Sequence, residues 1–381
     1  MSAPRRLVIT GAAGLIGFHL RARAHGLEGF ETIPLDRAAF NRVDSEASEA
    51  TTGPTLGRAL TDADAVVHLA GMNRGDDHEL ESTNIDLARR LIDALDANDR
   101  KPHLVFASST HRDRDTAYGR SKRRSHELFS DWAEATGTPY TELVLPNVFG
   151  EGGRPFHNSA VSTFCHQIAH GETPNLLVDR ELPWLHAQGA AATAIGAIES
   201  STTGSLVVPG TVMKVSELLA RLEALAARYA EGVLPVCESD FDRDLFNTYR
   251  SYLPAGTFPR TITAHSDDRG RLVEAVKSDA GGQCFFSTSR PGVLRGGHYH
   301  RHKFERFLVV EGRARIRIRR LFDDHVTEHF VDGSRPAYVD MPTFHTHDLC
   351  NVGDDTLLTL FWADEIFDPE ATDTYFEPVA A

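Results

Sequence analysis

The chain has 381 residues, of which 41% are hydrophobic and 25% are charged, a composition typical of globular proteins rather than of disordered or fibrous ones. Its 40 Lys and Arg residues against 54 Asp and Glu residues give a formal charge of −14, which argues against broad binding to nucleic acid or to an anionic membrane. At roughly 150 residues per domain, the length predicts two or three domains with hydrophobic cores of their own.

The cysteines and the apolar runs indicate the compartment. Cys165, Cys237, Cys284 and Cys350 are far apart and form no CxxC pair, which predicts reduced thiols rather than a disulfide framework. No apolar run approaches the roughly 18 residues of a membrane span, and no signal peptide precedes the first strand-like segment. We therefore expect a cytoplasmic protein that binds neither membrane nor nucleic acid.

From Arg5 to about Ala230, short apolar runs alternate with longer amphipathic stretches, which is typical of strands and crossover helices around a parallel sheet. The predicted strands are Leu7–Thr10, Glu31–Leu35, Ala65–Leu69, Leu104–Ala107 and Thr141–Leu145. The predicted helices are Thr83–Ala97, Gly119–Thr136 and Ser216–Ala230. The first part of the chain is expected to be an α/β domain of the Rossmann type.

The pattern changes after about Asp242, where short β-rich runs separated by Gly, Asp and Pro turns begin. The predicted strands there are Phe307–Val310, Ala314–Arg319, Ala337–Asp340 and Thr356–Trp362, and they indicate an antiparallel barrel or sandwich. We expect a first domain over residues 1–243, a linker over 244–260 and an all-β domain over 261–381.

Three glycines follow the first predicted strand: Gly11, Gly14 and Gly17 have GxxGxxG spacing where the strand passes into a helix. Glycines there allow a tight turn and a close approach of the backbone to a pyrophosphate, whose charge the helix amino end favours. Asp36, at the end of the second strand, is suited to the ribose hydroxyls of NAD, whereas the adjacent Arg37 is suited to the 2′-phosphate of NADP. The pattern predicts a dinucleotide site and leaves the coenzyme open.

A phenol and an ammonium group lie four residues apart at Tyr118 and Lys122, on one face of a predicted helix. A nearby Lys cation lowers the pKa of a phenol, so Tyr118 could donate a proton to a developing alkoxide. Ser109 follows the strand Leu104–Ala107, where a hydroxyl can orient a substrate carbonyl. An isolated YxxxK pair is common on helix surfaces, but its place after the glycine turn and the serine favours an acid/base site.

Together these residues resemble the extended short-chain dehydrogenase/reductase family, which contains nucleotide-sugar epimerases and reductases. The resemblance covers about Arg5 to Asp242 and implies that Ser109, Tyr118 and Lys122 are catalytic. It implies coenzyme contacts from Gly11, Gly14, Gly17, Asp36, Arg37, Leu69, Ala70, Gly71 and Asn84. It implies substrate contacts from Asn147 and Asn158, with Arg154 and Arg180 as candidate partners of the diphosphate. The chain departs from the family at Val144, where many members have Arg, and at His186-Ala187-Gln188.

A histidine-rich segment in the second half has metal-ligand spacing. His298 and His300 point to one face of a strand, and Glu305 can join them after a turn. Two imidazoles and a carboxylate suit zinc or another divalent transition metal. A later segment supplies a further imidazole, at His345 or at His347.

These segments resemble the two motifs of the cupin superfamily, whose small β-barrels hold a metal, over about Thr261 to Pro378. The resemblance implies that His298, His300, Glu305 and His347 are the ligands, with zinc as the expected ion and His345 as the alternative to His347. Phe344 and Pro336 stand where the second motif usually has Gly.

The chain as a whole resembles a family of bifunctional enzymes of capsular polysaccharide synthesis in the UDP-N-acetyl-L-fucosamine pathway. The resemblance rests on the order of the two domains and on segments such as Asn147–Gly150, Thr248–Pro254 and Phe367–Pro369. The resemblance implies that the cupin epimerises C3 of UDP-2-acetamido-2,6-dideoxy-L-hexos-4-ulose. The first domain then reduces the C4 ketone to UDP-2-acetamido-2,6-dideoxy-L-talose. NADPH is the expected coenzyme, with NADH as the alternative, and a homodimer is the expected assembly.

Two other functions remain open. One is a single-function nucleotide-sugar reductase or epimerase in which the cupin is a structural dimerisation module. The other is a nonenzymatic NAD(P)-binding redox sensor with a ligand-sensing cupin. The set of Ser109, Tyr118 and Lys122 argues against the sensor, because sensing needs no proton donor. Either role of the metal, structural or catalytic, is compatible with the motifs.

Overall fold

The computed structural model describes residues 3–41, 54–98 and 100–380. Their contacts divide into two compact units, the first made of Met1–Thr163 and Val178–Val215 and the second of Phe164–Leu177 and Ser216–Ala381. Among the helices of these described residues, none combines the length and the apolar character that a bilayer crossing requires.

The first unit is built on two sheets. Its strands are β1 Arg5–Thr10, β2 Phe30–Leu35, β3 Ala65–His68, β4 His103–Ser109, β5 Tyr140–Leu145, β6 Asn147–Phe149, β7 Glu181–His186, β8 Gly204–Val207 and β9 Thr211–Lys214. A parallel sheet has the order β2-β1-β3-β4-β5-β8, and a small mixed sheet has the order β6-β7-β9. Because β2 and β3 flank β1 on opposite sides, a crevice opens at the carboxyl ends of β1 and β3.

Helices cover both faces of the parallel sheet. They include α1 Leu15–His25, α2 Leu56–Leu60, α3 Asp77–Asp96, α4 Ala117–Thr136 and α6 Ala187–Glu199, with 3₁₀ turns at Arg37–Phe40 and Thr110–Asp113. Helix α5 Ala160–Ala169 begins in the first unit and continues into the segment Phe164–Leu177 of the second. Leu7 and Ile9 of β1 pack in one core with α1 and α6, whereas Val8 packs in another with α2, α3 and α4, as alternating strand side chains require. The expected α/β domain is confirmed.

The second unit is an antiparallel β domain. Its strands are β10 Val233–Leu234, β11 Arg260–Thr261, β12 Ala264–Asp267, β13 Gly270–Val273, β14 Lys277–Ser278, β15 Gln283–Ser289, β16 Leu294–Tyr299, β17 Glu305–Glu311, β18 Arg313–Arg320, β19 Val326–Asp332, β20 Ala337–Met341, β21 His345–Asn351, β22 Leu357–Ala363 and β23 Tyr375–Phe376. Two five-stranded sheets, β11-β20-β17-β22-β15 and β19-β18-β21-β16-β23, share one core that includes Val309, Ile316 and Leu349. The expected all-β domain is confirmed.

The chain leaves the first unit for the last time at Val215, earlier than the expected boundary at residue 243. Helices α7 Val215–Ala230 and α8 Asp240–Arg250 pack against the β domain, and α8 enters the segment 244–260 that we expected to be a linker. The hydroxyl of Tyr229 on α7 donates to Asp340 over 2.7 Å, and Arg250 on α8 donates to the carbonyl oxygen of Met341 over 2.6 Å. Amphipathic periodicity predicts a helix but does not say which core its apolar face covers.

Candidate functional site

The glycine turn between β1 and α1 is so tight that two of its positions exclude a side chain. A Cβ on Gly11, whose φ is +69°, would lie 2.8 Å from the backbone nitrogen of Ala70, and one on Gly17 would lie 2.4 Å from the carbonyl oxygen of Gly11. Gly14 caps α1 without a side-chain hydrogen bond, which leaves the helix amino end accessible to an anion. The glycines lie between a strand and a helix, as expected. The tight turn and the accessible helix end fit a dinucleotide pyrophosphate.

Thr10 joins the ends of β1 and β3 at the crevice. Its hydroxyl oxygen accepts hydrogen bonds from the backbone N–H groups of Leu69 and Ala70 over 3.2 Å each and lies 2.9 Å from Nδ1 of His68. Burial, with a contribution from the charge of Lys122, lowers the pKa of His68 to about 3, so this imidazole is neutral. Thr10 therefore holds the segment after β3 beside the glycine turn, a role that the sequence analysis missed.

Asp36 and Arg37 follow β2, and both are exposed. Oδ1 of Asp36 accepts a hydrogen bond from the backbone N–H of Ala39 over 2.9 Å and so caps the 3₁₀ turn. Both charged groups lie directly after a strand of the parallel sheet, where a coenzyme ribose is held in Rossmann-type domains.

Asn84 is buried, and its side chain is committed to protein groups. Its Oδ1 accepts from the backbone N–H of Met72 over 2.6 Å, and its Nδ2 donates to Oγ of Ser121 over 3.0 Å. Gly71 is pressed against this amide, because a Cβ there would lie 3.1 Å from Oδ1 of Asn84. The structure thus uses Asn84 to anchor the segment after β3 to helix α4.

Ser109, Tyr118 and Lys122 come together at the carboxyl end of β4. Ser109 is the last residue of β4, and Tyr118 and Lys122 lie one turn apart on α4. Nζ of Lys122 donates to the carbonyl oxygen of Ala107 over 2.7 Å and lies 5.7 Å from the ring centroid of Tyr118. The cation is therefore held next to the phenol by the backbone of the neighbouring strand.

Burial governs the protonation of these two side chains. It raises the pKa of Tyr118, and the hydrogen bond with Ser109 opposes that rise. We expected Lys122 to lower this pKa, but removal of the phenol from water outweighs any such effect. Burial lowers the pKa of Lys122 to about 8, and the charge of Glu142 opposes that change. At neutral pH Tyr118 keeps its proton and Lys122 its charge, which suits a proton donor beside a cation.

The residues expected to contact the substrate lie on segments that follow β5. Asn147 begins β6 and donates from Nδ2 to the carbonyl oxygen of Pro183 over 3.2 Å. Arg154 and Asn158 are exposed on the loop after β6. An exposed arginine on a loop at this edge of the sheet is available to an anionic ligand.

The charge of Arg180 acts on His111, a neighbour of Tyr118. Burial lowers the pKa of His111, and the charges of Arg114 and Arg180 lower it further. The ring centroid of His111 is 6.3 Å from that of Tyr118. Arg180 itself is exposed on the segment before β7.

Four side chains converge in the second unit: His298 on β16, His300 directly after it, Glu305 on β17 and His347 on β21. One ligand atom of each lies within 4.8 Å of those of the others. Oε2 of Glu305 is 3.0 Å from Nε2 of His300 and 3.4 Å from Nε2 of His347. Between the two candidates in the second motif, His347 joins the cluster, whereas Nδ1 of His345 lies 2.7 Å from the carbonyl oxygen of Thr343.

Hydrogen bonds orient two of these imidazoles for a metal. Nδ1 of His300 lies 2.5 Å from the carbonyl oxygen of Asp373, and Nδ1 of His347 lies 3.2 Å from that of His345. Because a carbonyl oxygen only accepts, Nδ1 carries the proton and Nε2 presents its lone pair to the centre of the cluster. Both Nε2 atoms are buried and face Oε2 of Glu305. Three imidazoles and one carboxylate fit zinc or another divalent transition metal.

The charges of the cluster also suit a cation. Burial raises the pKa of Glu305, but His300 and His347 outweigh it and hold that pKa well below its usual range. Burial and the neighbouring imidazoles of His347 and His300 lower the pKa of His298 to about 3. The carboxylate is therefore anionic and the His298 imidazole neutral, as metal ligands must be.

Two backbone features bring the side chains of the cluster together. At Gly296, whose φ is +99°, a Cβ would lie 2.7 Å from the carbonyl oxygen of His347. A register shift between Gly296 and His298 places His298 opposite His347, as a β-bulge does. Phe344, which stands where the cupin family usually has Gly, has a φ of +58°. It thus adopts the left-handed conformation of the missing glycine, and its ring is fully buried.

Asp373 shapes the turn that carries His300, a role that no sequence pattern predicted. Its carboxylate Oδ2 accepts the backbone N–H groups of Arg301, His302 and Lys303 over 2.9, 2.7 and 2.8 Å. Asp373 is 2% exposed. No spacing rule links it to the histidine segment, because the contact depends on how the chain returns to β16 from β22.

Comparisons with known proteins divide the chain in the same way. The model of the NAD dependent epimerase/dehydratase family matches residues 7–208, and that of the polysaccharide biosynthesis C-terminal domain matches residues 265–375. The UDP-2-acetamido-2,6-beta-L-arabino-hexul-4-ose reductase of Pseudomonas aeruginosa is 33% identical over 376 residues, which are 97% of this chain and 98% of that protein.

Other similar proteins are named for the assembly or biosynthesis of polysaccharides. The crystal structure of the capsular polysaccharide assembling protein CapF from Staphylococcus aureus is matched with a TM-score of 0.60 and 33% identity, over 98% of this chain and 99% of that one. The spore coat polysaccharide biosynthesis protein SpsL of Bacillus subtilis is 25% identical over 128 residues, which are 31% of this chain and 85% of that protein. The expected resemblance to capsular polysaccharide enzymes is confirmed, and the chain belongs to the NAD dependent epimerase/dehydratase family, with a cupin-type polysaccharide biosynthesis domain as its second part.

Proposed function

We propose that the chain is a bifunctional nucleotide-sugar enzyme. Its cupin epimerises C3 of UDP-2-acetamido-2,6-dideoxy-L-hexos-4-ulose, and its first unit then reduces the C4 ketone with NADPH to UDP-2-acetamido-2,6-dideoxy-L-talose. The proposal rests on the presence of two sites in one chain. The first is the group of Ser109, Tyr118 and Lys122 in the unit that carries the glycine turn, and the second is the buried cluster of three histidines and one carboxylate. The similarity to a UDP-ketosugar reductase over both units supports it.

Reduction needs a hydride at C4 and a proton on the ketone oxygen. When bound, NADPH supplies the hydride. The phenol of Tyr118 donates the proton to the developing alkoxide, and the hydroxyl of Ser109 orients the carbonyl by a hydrogen bond. Lys122, held by the carbonyl oxygen of Ala107, stabilises the phenolate that remains after the proton has left.

Epimerisation uses the same ketone. The C4 carbonyl acidifies the C3 proton, so a base can remove it to leave an enolate, and return of a proton on the opposite face inverts C3. His298, His300, Glu305 and His347 would hold a divalent metal, with zinc as the expected ion, and its positive charge would be available to polarise a carbonyl oxygen. His302 and Lys303 lie on the turn beside His300, and we assign the base to neither. Because reduction removes the ketone, epimerisation comes first.

The preference for NADPH over NADH is proposed from the two residues after β2. One carboxylate oxygen of Asp36 already accepts a backbone hydrogen bond, whereas the exposed guanidinium of Arg37 is suited to a 2′-phosphate. Replacement of Arg37 by Ala should raise the KM for NADPH and leave that for NADH unchanged. An equal effect on both coenzymes would contradict this assignment.

The proposal includes a homodimer, as the resemblance to cupins implies, and a cytoplasmic location, as the widely separated cysteines indicate. Light scattering of the purified protein coupled to size-exclusion chromatography measures the mass in solution. A mass of one chain at micromolar concentration would contradict the dimer.

The experiment that tests the two activities separately is NMR of the UDP-4-ketohexose in D₂O with the Tyr118→Phe protein and no reduced coenzyme. Deuterium uptake and inversion at C3 are expected, because this variant retains the cupin. The matched control is the double variant Tyr118→Phe/His298→Ala, which should lose the exchange.

Two results would contradict the proposed pair of activities. If no deuterium entered, while the wild-type protein oxidised NADPH with the ketone that had already been epimerised, the cupin would be structural and the enzyme a single-function reductase. A wild-type protein that bound NADPH but turned over neither ketone would favour the redox sensor.

A further inference from the structure

A buried carboxylate that the proposed reaction does not use lies on the loop after β6. Oε2 of Glu151 is 2.9 Å from Nε2 of His186, the last residue of β7, and the carbonyl oxygen of Glu151 is 3.0 Å from Nε2 of His19 on α1. The exposed fractions of Glu151, His19 and His186 are 5%, 0% and 5%. One loop residue thus contacts imidazoles from two other elements of the first unit.

Gln188, at the start of α6, determines where the proton of His19 lies. Nε2 of Gln188 is 3.0 Å from the carbonyl oxygen of His19 and 3.1 Å from its Nδ1. The NH₂ group must face that carbonyl, because the opposite amide orientation would bring two acceptors together. The same NH₂ group then donates to Nδ1. The proton of the imidazole is therefore on Nε2, which donates to the carbonyl oxygen of Glu151.

This proton position favours a hydrogen-bond network over a metal site. A metal ligand must present a lone pair, and Nε2 of His19 carries a hydrogen instead. The carboxylate of Glu151 accepts from Nε2 of His186; burial raises the pKa of Glu151, but His186 and His19 outweigh it and bring it to about 2. The backbone also fits the close approach, since a Cβ on Gly150 would lie 3.1 Å from Nε2 of each imidazole.

The loop that follows Glu151 is anchored a second time. Nη1 of Arg74 donates to the carbonyl oxygens of Phe156 and His157 over 2.7 and 2.8 Å. Arg154 lies between these anchors and is exposed. The position of this guanidinium therefore depends on both ends of the loop, and buried side chains of α1 and β7 hold the first of these ends.

We propose that Glu151, together with His19, His186 and Gln188, positions the loop of residues 150–158 for the diphosphate of the sugar nucleotide. We call these four residues the Glu151 network. Glu151 is a positioning residue: it acts through Arg154 and does not contact the ligand. Since α1 also carries the glycine turn, the network sets the loop relative to the helix at the coenzyme site. The inference rests on the proposed function.

The test compares Glu151→Ala and Glu151→Gln with the wild-type protein, using calorimetric titration with UDP as the probe and steady-state reduction of the UDP-ketosugar. Glu151→Ala should weaken UDP binding and raise the KM of the sugar nucleotide by about 10-fold or more, because small displacements of a binding group are costly. The kcat and the Kd of NADPH should stay within about twofold. Glu151→Gln keeps an oxygen that accepts from His186 and should recover most of the affinity.

A matched control removes a buried imidazole far from the loop. His103 begins β4 at the amino edge of the sheet, and its Nε2 lies 2.8 Å from Oγ1 of Thr141. His103→Phe should lower stability without changing the KM. The proposal would be overturned if Glu151→Ala and His103→Phe changed the KM, the kcat and the NADPH affinity to the same extent. The Glu151 network would then have only a structural role.

Two further results would overturn it. The first is unchanged UDP affinity in a folded Glu151→Ala protein. The second concerns the His298→Ala protein, which lacks a cupin ligand. If this protein bound one metal ion per chain and lost it on addition of Glu151→Ala, then His19, Glu151 and His186 would form a metal site. A wild-type protein that bound no UDP would instead contradict the proposed function itself, so the two failures are distinguishable.

Discussion

Lys122 and Glu142 lie on the same face of the parallel sheet, with Phe106 between them. Nζ of Lys122 is 4.9 Å from the ring centroid of Phe106, and Phe106 is the register partner of Glu142 on the neighbouring strand. Glu142 is fully buried, and its carboxylate pairs with Arg112 and Ser205. A buried negative charge therefore lies close to the ammonium group beside the proposed proton donor.

This relationship predicts the pH dependence of reduction. The pKa of Lys122 is lowered to about 8 by burial, while Glu142 opposes that change, so kcat should fall as the pH rises through about 8 and the ammonium loses its charge. Removal of the negative charge in Glu142→Gln disfavours the ammonium further and should move the alkaline fall of kcat to lower pH. The measurement is the pH profile of kcat for NADPH oxidation.

The control for this prediction is Glu127→Gln, because Glu127 lies on α4, the helix that carries Lys122. Glu127 is exposed and pairs with Arg124, so its charge is screened by water and the profile should not move. An alkaline limb that is the same in Glu142→Gln as in the wild-type protein would contradict an electrostatic role of Glu142.

The proposed proton donor predicts a specific loss in Tyr118→Phe. Without the phenol proton, kcat for ketone reduction should fall by ~10²–10⁴-fold, the usual contribution of general acid catalysis. Coenzyme and sugar-nucleotide binding should be retained, because the ring remains. Stopped-flow measurement of NADPH oxidation tests the rate, with Tyr140→Phe as the control, since the hydroxyl of Tyr140 bonds His126 at the amino end of β5. Full turnover by Tyr118→Phe would exclude this role.

The cupin cluster predicts which of two nearby histidines holds the metal. His347→Ala should lose the metal, because its Nε2 faces Glu305, whereas His345→Ala should retain it. Elemental analysis of the dialysed proteins gives the number of metal ions per chain. Equal loss in both variants would contradict the assignment of His347 alone, because the imidazole of His345 would then also be needed at the site.

The contacts of α7 predict a stability effect within the second unit. Arg306 and Asp340 form a buried pair with N–O distances of 2.7 and 2.9 Å, and Tyr229 donates to the same carboxylate. Asp340→Ala leaves the Arg306 charge buried without its partner and should cost ~3–5 kcal/mol. Tyr229→Phe removes one hydrogen bond and should cost ~1 kcal/mol.

Urea unfolding of the full chain measures both losses. The control is Asp354→Ala, which removes an exposed pair with Arg313 and should leave the free energy of unfolding unchanged, since such pairs are screened by water. A loss in Asp340→Ala no larger than that in Asp354→Ala would mean that the buried pair contributes little.

Residues close together in the chain were the ones that sequence alone could place. The glycine turn, the Tyr118–Lys122 pair and the spacing of His298, His300 and Glu305 are local patterns, because a strand, a turn or one helical turn sets the relative positions of their side chains. The same holds for the strands and helices, whose apolar periodicity predicted both the parallel sheet and the antiparallel β domain.

The tertiary structure decided what depends on distant segments. It assigned α7 and α8 to the β domain, separated His347 from His345, and brought Asp373 to the turn of His300 and Glu151 to His19. None of these contacts has a spacing that a sequence can display, because each joins elements that meet only when the chain has folded. Burial then sets the charge states, since the pKa values of Tyr118 and Lys122 depend on how much water the packed strands and helices exclude.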